Sequence, residues 1–226
     1  MVRYTVPRML RSNAVPLGAL LVALALVTLL APSAQPSPTH GLPEPAHALA
    51  RPRPSLAGEM LVATEALRGP VFARAVVYLV RHDADGAFGL VINRPGPEVR
   101  LASLLRQLQL DPSGVTGRIR VHLGGPVETQ RGFVLHTAEY AVSGTERVAD
   151  DVALTTEPDV LADIAHGKGP RRYRFLQGYA GWRGGQLEEE IDAGAWISVA
   201  ADADILFDED YATKWTRATA RRRLTI

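Results

Sequence analysis

The chain has 226 residues, 46% of them apolar and 22% charged, which fits one globular domain with an appendage and excludes a fibrous or wholly disordered chain. A formal net charge of +1 offers no global electrostatic case for nucleic acid or an anionic membrane as partner. Cysteine is absent, so disulfides, thiol catalysis and cysteine-based metal sites are excluded.

Arg3, Arg8 and Arg11 precede Ala14 to Ala31, 18 residues without a charge. A basic segment followed by an apolar one is the layout of a secretory signal, and the run is also at the lower limit for crossing a bilayer. Residues 1–33 therefore read as a signal peptide or membrane anchor, with the protein exported or anchored and touching a membrane only through this leader. The alternative is a mis-assigned start codon and a cytoplasmic protein. Residues 34–55 read as a linker, since seven prolines fall in the 23 residues from Pro32 to Pro54. Such a segment cannot bury enough surface to fold and is expected to be extended or disordered. His40 and His47 within it read as solvated side chains.

The domain itself is expected over residues 56–226. Gly58 to Thr64 reads as a short strand, Leu67 to Pro70 as a turn, and Phe72 to Val80 as a buried strand, because its apolar run is nearly continuous. His82-Asp83-Ala84-Asp85-Gly86 carries hairpin chemistry with Asp-Gly at the bend, and Ala87 to Asn93 returns as the partner strand, closed by Arg94-Pro95-Gly96-Pro97. His82 beside Asp83 is either an acid–base pair or a local hydrogen-bonding residue at a hairpin end, and the second reading is the commoner one. Leu101, Leu104, Leu105 and Leu108 predict an amphipathic helix to Gln109. Arg118 to Leu123 alternates as a strand with Ile119, Val121 and Leu123 on one face, and runs into a glycine turn at Gly124-Gly125-Pro126. Gly132 to His136 is the next strand. His122 and His136 both fall on strands and could share a pocket, but without a carboxylate at ligand spacing they do not point to a metal. Two short edge strands are expected around Ala149-Asp150-Asp151. A helix follows, capped by Thr156, with Pro158 in its first turn and Val160, Leu161 and Ile164 buried.

Tyr173 to Val199 is the most informative stretch. Tyr173, Phe175 and Gln177 alternate as a strand, and Gly178, Gly181, Gly184 and Gly185 are expected to break it in a glycine-rich turn. From Gln186 the pattern is helical, with Leu187 and Ile191 on one face and Glu188, Glu189 and Glu190 near the positive end of the dipole. Gly194 suits the left-handed end of this helix, and Trp196, Ile197 and Val199 open another strand. Glycines before a helix can cradle a phosphate. Here no Lys-Ser/Thr pair follows, no G-x-G-x-x-G occurs, and three glutamates would repel an anion. The turn is read instead as one that packs Tyr179 and Trp182 on the sheet. Tyr211 to Arg223 is helix-like, anchored by Trp215 and basic at its end.

The run Gly178-Tyr179-Ala180-Gly181-Trp182, with Gly185-Gln186-Leu187-Glu188 and Glu190-Ile191, resembles the signature of the bacterial YqgE/AlgH family. The likeness extends over roughly Leu56 to Phe207 and includes Gly58 to Thr64, Ala75 to Leu79, His82, Gly86 to Pro95, Gly124 to Val127 and Gly132 to His136. The chain departs from the family at Arg183-Gly184, where a small residue and then proline are usual, and in its hydrophobic leader. The resemblance implies an α+β domain built on a strongly bent, barrel-like mixed sheet flanked by helices, which agrees with the irregular interleaving of strands, hairpins and helices. It implies no established activity; the family's regulator label comes from an association with alginate production.

No nucleophile elbow, H-E-x-x-H, P-loop or histidine–carboxylate spacing occurs. The leading expectation is a non-enzymatic binding or regulatory module for an unknown small molecule or protein partner, with neither cofactor nor metal implied. The alternative is an enzyme with a scattered polar site near the two glycine turns. The candidate ligand or partner residues are His82, Asn93, Gly124, Gly125, His136, Gly184, Gly185 and Glu188. Specific nucleic-acid binding is not expected, for want of a recognition helix.

Overall fold

The computed structural model describes residues 54–222. The leader over residues 1–33, nearly all of the linker over 34–55, and Arg223 at the basic end lie outside the described residues. The elements in chain order are β1 (Glu59–Ala63), β2 (Val76–Asp83), β3 (Gly86–Val91), β4 (Pro95–Arg100), α1 (Leu101–Gln107), β5 (Arg118–Leu123), β6 (Val127–Thr137), β7 (Thr145–Arg147), β8 (Val152–Thr155), α2 (Asp159–Ala165), β9 (Tyr173–Arg183), α3 (Gln186–Asp192), β10 (Trp196–Ala200), α4 (Ala203–Phe207) and α5 (Lys214–Ala220). The fold is α+β, as expected. One curled sheet runs β10-β1-β2-β3-β9-β6-β8-β7, with β4 joined to β5, and β5 lying parallel to β9 against an otherwise antiparallel ladder.

Both faces of this sheet are covered, which is why β2 reads as an unbroken apolar run. Val76, Tyr78 and Val80 enter one core with Leu206, Phe207 and Ala218 of α4 and α5. Val77 and Leu79 enter the opposite core with Trp182, Leu187 and Trp196. A third core lies under α1 and α2, where Leu104, Leu105, Val160 and Leu161 meet Ile119, Val121 and Phe175.

Several expectations are corrected. Phe72 to Ala75 is a turn rather than the start of β2: Arg74 sits at φ 54°, and Phe72 packs edge-on against Trp196 at 5.7 Å. At the hairpin tip Ala84 and Asp85 form the bend, while Asp83 and Gly86 pair as its last rung. The segment from Pro95 is a strand, not a closing turn, because β4 lies on an edge, where missing N–H groups are tolerated. Leu123 is 56% exposed while His122 is buried, so the apolar face of β5 does not continue through Leu123. Thr156 does not cap α2: Pro158 holds the N-cap position, and no side chain bonds the first turn.

The largest correction concerns β9. The glycine run does not break the strand, which continues for 11 residues to Arg183. Gly178, at φ 72°, bends it instead, so that residues 173–179 pair with β6 while residues 180–183 pair with β3. The absence of side chains also lets another segment in: a Cβ on Gly125 would overlap the backbone of Tyr179, and one on Gly178 the carbonyl of Gly125. Glycine here serves close approach as well as turning.

Candidate functional site

Two polar assemblies lie on β9. The first gathers around its N-terminal half. Alternation along β5 sends Ile119 and Val121 into the third core and leaves Arg118, Arg120 and His122 at the opposite parity. On β9, Phe175 likewise enters that core, and Arg174 takes the opposite parity. The segment carrying α4, Asp208 and Tyr211 then folds over Arg174. Arg174 is only 2% exposed and uses its whole fork: Nε donates to Leu206 O at 2.9 Å, Nη2 to Asp208 O at 2.8 Å, and Nη1 to His122 Nε2 at 2.6 Å and to the Tyr211 hydroxyl, Oη, at 2.9 Å.

A guanidinium is always a donor, so His122 must accept at Nε2 and carry its proton on Nδ1, which donates to Phe175 O at 2.9 Å. Burial lowers the His122 pKa to about 4, and the neighbouring Arg174 cation acts in the same direction. This imidazole is neutral and fully occupied. Beside it Lys214, with no exposed surface, donates to Ile205 O and to the Asp208 carboxylate. Burial pulls the ammonium down to about 8, against the opposing pull of Asp208. Burial alone would raise Asp208, but hydrogen bonds from Lys214 and Arg217 outweigh it and hold the carboxyl below its usual range. Above this network lies a cleft of about 180 Å³, whose walls include Glu98, Arg118, Arg120, Tyr173 and Glu209.

The second assembly lies where the β2–β3 tip meets α3. His82 Nδ1 accepts from Leu56 N–H at 3.0 Å, so Nε2 carries the proton and points it at Glu188 Oε1, 3.0 Å away. Two indoles converge next to it: Trp182 Nε1 and Trp196 Nε1 donate to Glu190 Oε2 at 2.9 and 2.8 Å, with the rings edge-on at 5.8 Å. Gln186 completes the carboxylate at Oε1.

The sequence candidates are thus distributed over four places. His82, Gly184, Gly185 and Glu188 share the α3 end, where Gly184 is pressed against Ala84 and Gly185 takes φ 78° as the residue entering α3. Gly124 and Gly125 pack against Gln177 to Ala180 of β9. The two glycine turns therefore meet β9 about five residues apart, roughly 17 Å along an extended strand. Asn93 is buried and uses both ends of its amide, accepting from Val76 N–H at 2.9 Å and donating to Arg74 O at 2.8 Å, which fixes the turn before β2. His136, fully buried, donates from Nδ1 to Thr137 O and accepts from Thr155 Oγ1 at 2.8 Å. It shares no hydrogen-bond partner with His122.

Sequence reasoning did not select Arg174, Tyr211, Asp208 or Lys214. One signal was present for Arg174, a charged residue at the same strand parity as Leu176, in a run otherwise destined for a core. Lys214 gave none, because a lysine beside Arg217 in a basic helix looks like a solvated face. Among the described residues no group of three metal-ligating side chains occurs, and no helix is long and apolar enough to cross a membrane.

With this geometry in place, a family profile described as AlgH-like matches residues 60–226. A UPF0301 protein of Rhodospirillum rubrum is 44% identical over 166 residues, spanning 74% of this chain and 86% of that one. Another, from Afipia carboxidovorans, is 41% identical over 192 residues, 81% of this chain and 90% of its own. The solution structure of AlgH from Pseudomonas aeruginosa superimposes with a TM-score of 0.63 at 38% identity, covering 80% of this chain and 92% of that one. A crystal structure from Corynebacterium diphtheriae shares the fold alone, at a TM-score of 0.60 and 21% identity over 79% of this chain and 92% of that one.

Proposed function

We propose that this chain, which belongs to the AlgH-like family, is a non-enzymatic binding or regulatory module whose ligand enters the cleft over Arg174, His122 and Tyr211. One observation carries the reading. The cleft is richer in donors than in bases: His122 is held neutral with both nitrogens taken, Glu98 is tied to Arg118 and Arg120, and the one carboxylate left, Glu209, is solvent-exposed at the wall. General acid–base work needs a group that can gain and lose a proton beside the substrate. Neither cysteine nor a serine or threonine hydroxyl lines this cleft. What it offers is recognition. Because Arg174 also holds Leu206 and Asp208, a ligand here would act on the segment that carries α4 and α5, and such coupling suits a regulatory protein.

The enzyme reading has one specific observation in its favour, the His82–Glu188 contact. Its imidazole is likewise occupied on both nitrogens, so the pair would need to open before it could move a proton. The basic start and apolar run of residues 14–31 support export or anchoring of the module. Melting the full chain against a metabolite panel, with mass spectrometry of each mixture, tests the reading. Stabilisation without conversion is the expected result. Turnover by the protein alone would place it among enzymes.

A further inference from the structure

We infer that the cleft over Arg174 takes a phosphate group, free or carried by a small molecule, seated by Arg120 and the Tyr211 hydroxyl and drawn by the uncompensated charge of Arg174. This rests on the binding reading above for where a ligand sits, and adds what the ligand is.

The first argument is the charge of Arg174. Its four hydrogen-bond acceptors are two backbone carbonyls, an imidazole and a phenol, all of them neutral. A buried cation is costly unless a counter-charge accompanies it. The carboxylate of Asp208, whose backbone carbonyl Arg174 bonds, is already shared between Lys214 and Arg217. At the rim, Arg118 and Arg120 likewise share one carboxylate, Glu98, at 3.5 and 2.7 Å. Among the residues that line the cleft, three cations, Arg118, Arg120 and Arg174, therefore face two carboxylates, Glu98 and Glu209, and behind it Lys214 and Arg217 share Asp208. The excess of positive charge suits an anion, and a phosphate, which carries about −1.5 to −2 near neutral pH, would answer both this excess and the over-subscribed Asp208 behind it.

The second argument counts protons. His122 Nε2 has one lone pair and Arg174 Nη1 fills it from 2.6 Å, so the Tyr211 hydroxyl, 2.9 Å from the same nitrogen, is left with its own proton to give elsewhere. Arg120 donates from Nη1 to Gly96 O and from Nη2 to Glu98, while its Nε is buried with no partner among the described residues. Buried donors of this kind call for an acceptor. A site with surplus donors and surplus positive charge selects an anion rich in acceptor oxygens. Its size selects a small one, since about 180 Å³ falls below the roughly 300–1,000 Å³ of sites for larger ligands.

The test is titration of the full chain with inorganic phosphate at constant ionic strength, followed by its melting point, with chloride as control. Saturable stabilisation with a Kd at or below about 1 mM is expected from phosphate and none from chloride. Methyl phosphate in a parallel arm separates the sources: tighter binding than phosphate identifies an ester, weaker binding the free ion. Tyr211→Phe and Arg120→Gln should each weaken phosphate about tenfold or more, the loss of one charge-assisted hydrogen bond. Absence of a saturable response in the unaltered chain overturns the inference, as does undiminished affinity in both variants. Binding of succinate in place of phosphate would overturn the phosphate assignment and leave the binding reading standing. A panel ligand that binds undiminished in both variants would instead remove the cleft from that reading.

Discussion

The two ends of β9 carry polar assemblies built in opposite ways. At the C-terminal end charge is matched to donors: Glu190 takes two indole N–H groups and Gln186, and Glu188 takes the proton of His82. At the N-terminal end charge is in excess, with Arg174 and Lys214 buried and one carboxylate, Asp208, serving Lys214 and Arg217. The first arrangement is what a folded core needs, since a buried polar group is tolerable once it is bonded. The second costs stability unless something compensates it. The contrast separates scaffold from site more sharply than exposure does, because the C-terminal assembly also reaches the surface through Glu188.

Breaking the scaffold end should have the largest effect. Trp182 is 8% exposed, packs edge-on against Trp196 and bonds Glu190. Trp182→Ala leaves a cavity and an unmet carboxylate oxygen, at a cost of about 3–5 kcal/mol. For a domain of this size that lowers the melting point by roughly 10 °C or more. An unshifted melt would mean that the indole is not packed, and the contrast would fail at that end.

The site end should reveal itself through pH. His122 has a folded pKa of about 4 against an ordinary 6.5, so between those values the unfolded chain binds the additional proton. Stability therefore falls as pH drops through this window, by up to about 3 kcal/mol from His122, with His136, also lowered by burial, adding in the same sense. Lys214 behaves alike in a second window. Its folded value of about 8 lies below the ordinary 10.5, so stability rises with pH above 8 as the buried ammonium discharges. Urea unfolding from pH 4 to 6.5 and from pH 8 to 9.5 checks both slopes. A flat profile in His122→Asn over the acid window, apart from the share of His136, would assign the slope to His122. An unchanged profile would deny it.

How much of this could be read beforehand follows from which forces leave a local trace. The strands β5 and β10 and helices α1 and α3 were expected near their observed bounds because short runs of apolar and β-branched residues or helical spacing leave a local trace. The continuity of β9 left no such trace. Glycine signals freedom, and only the arrival of Gly125 at Gly178 shows that this freedom is used for close packing instead of a turn. The strand β4 was hidden by its prolines, which an edge tolerates. His82 and Glu188 were both named as candidates, yet their contact spans 106 residues of chain and no spacing rule reaches that far. The Arg174 cluster was least visible, because burial of a charged side chain is decided by what folds over it, here the segment from Ala203 to Tyr211.

The smallest effect is expected at Glu188, where the two readings of the α3 end part company. Leu56 N–H fixes the His82 proton on Nε2, so Glu188 acts as an acceptor, and a glutamine in its place presents an equivalent carbonyl oxygen to the same proton. What Glu188→Gln removes is a negative charge in the first turn of α3, worth about 0.3–1 kcal/mol beside the helix dipole and reduced further by its partial exposure. Thermal melts should therefore place the variant within about 1 kcal/mol of the parent, with affinity for any ligand of the Arg174 cleft unchanged. A general base would behave otherwise. If the carboxylate takes a proton from a substrate, the amide cannot replace it, and a chain of unaltered stability would lose its turnover. An unshifted melt combined with lost activity would make the His82–Glu188 end the site and the donor-rich cleft the scaffold, reversing the contrast between the two ends of β9.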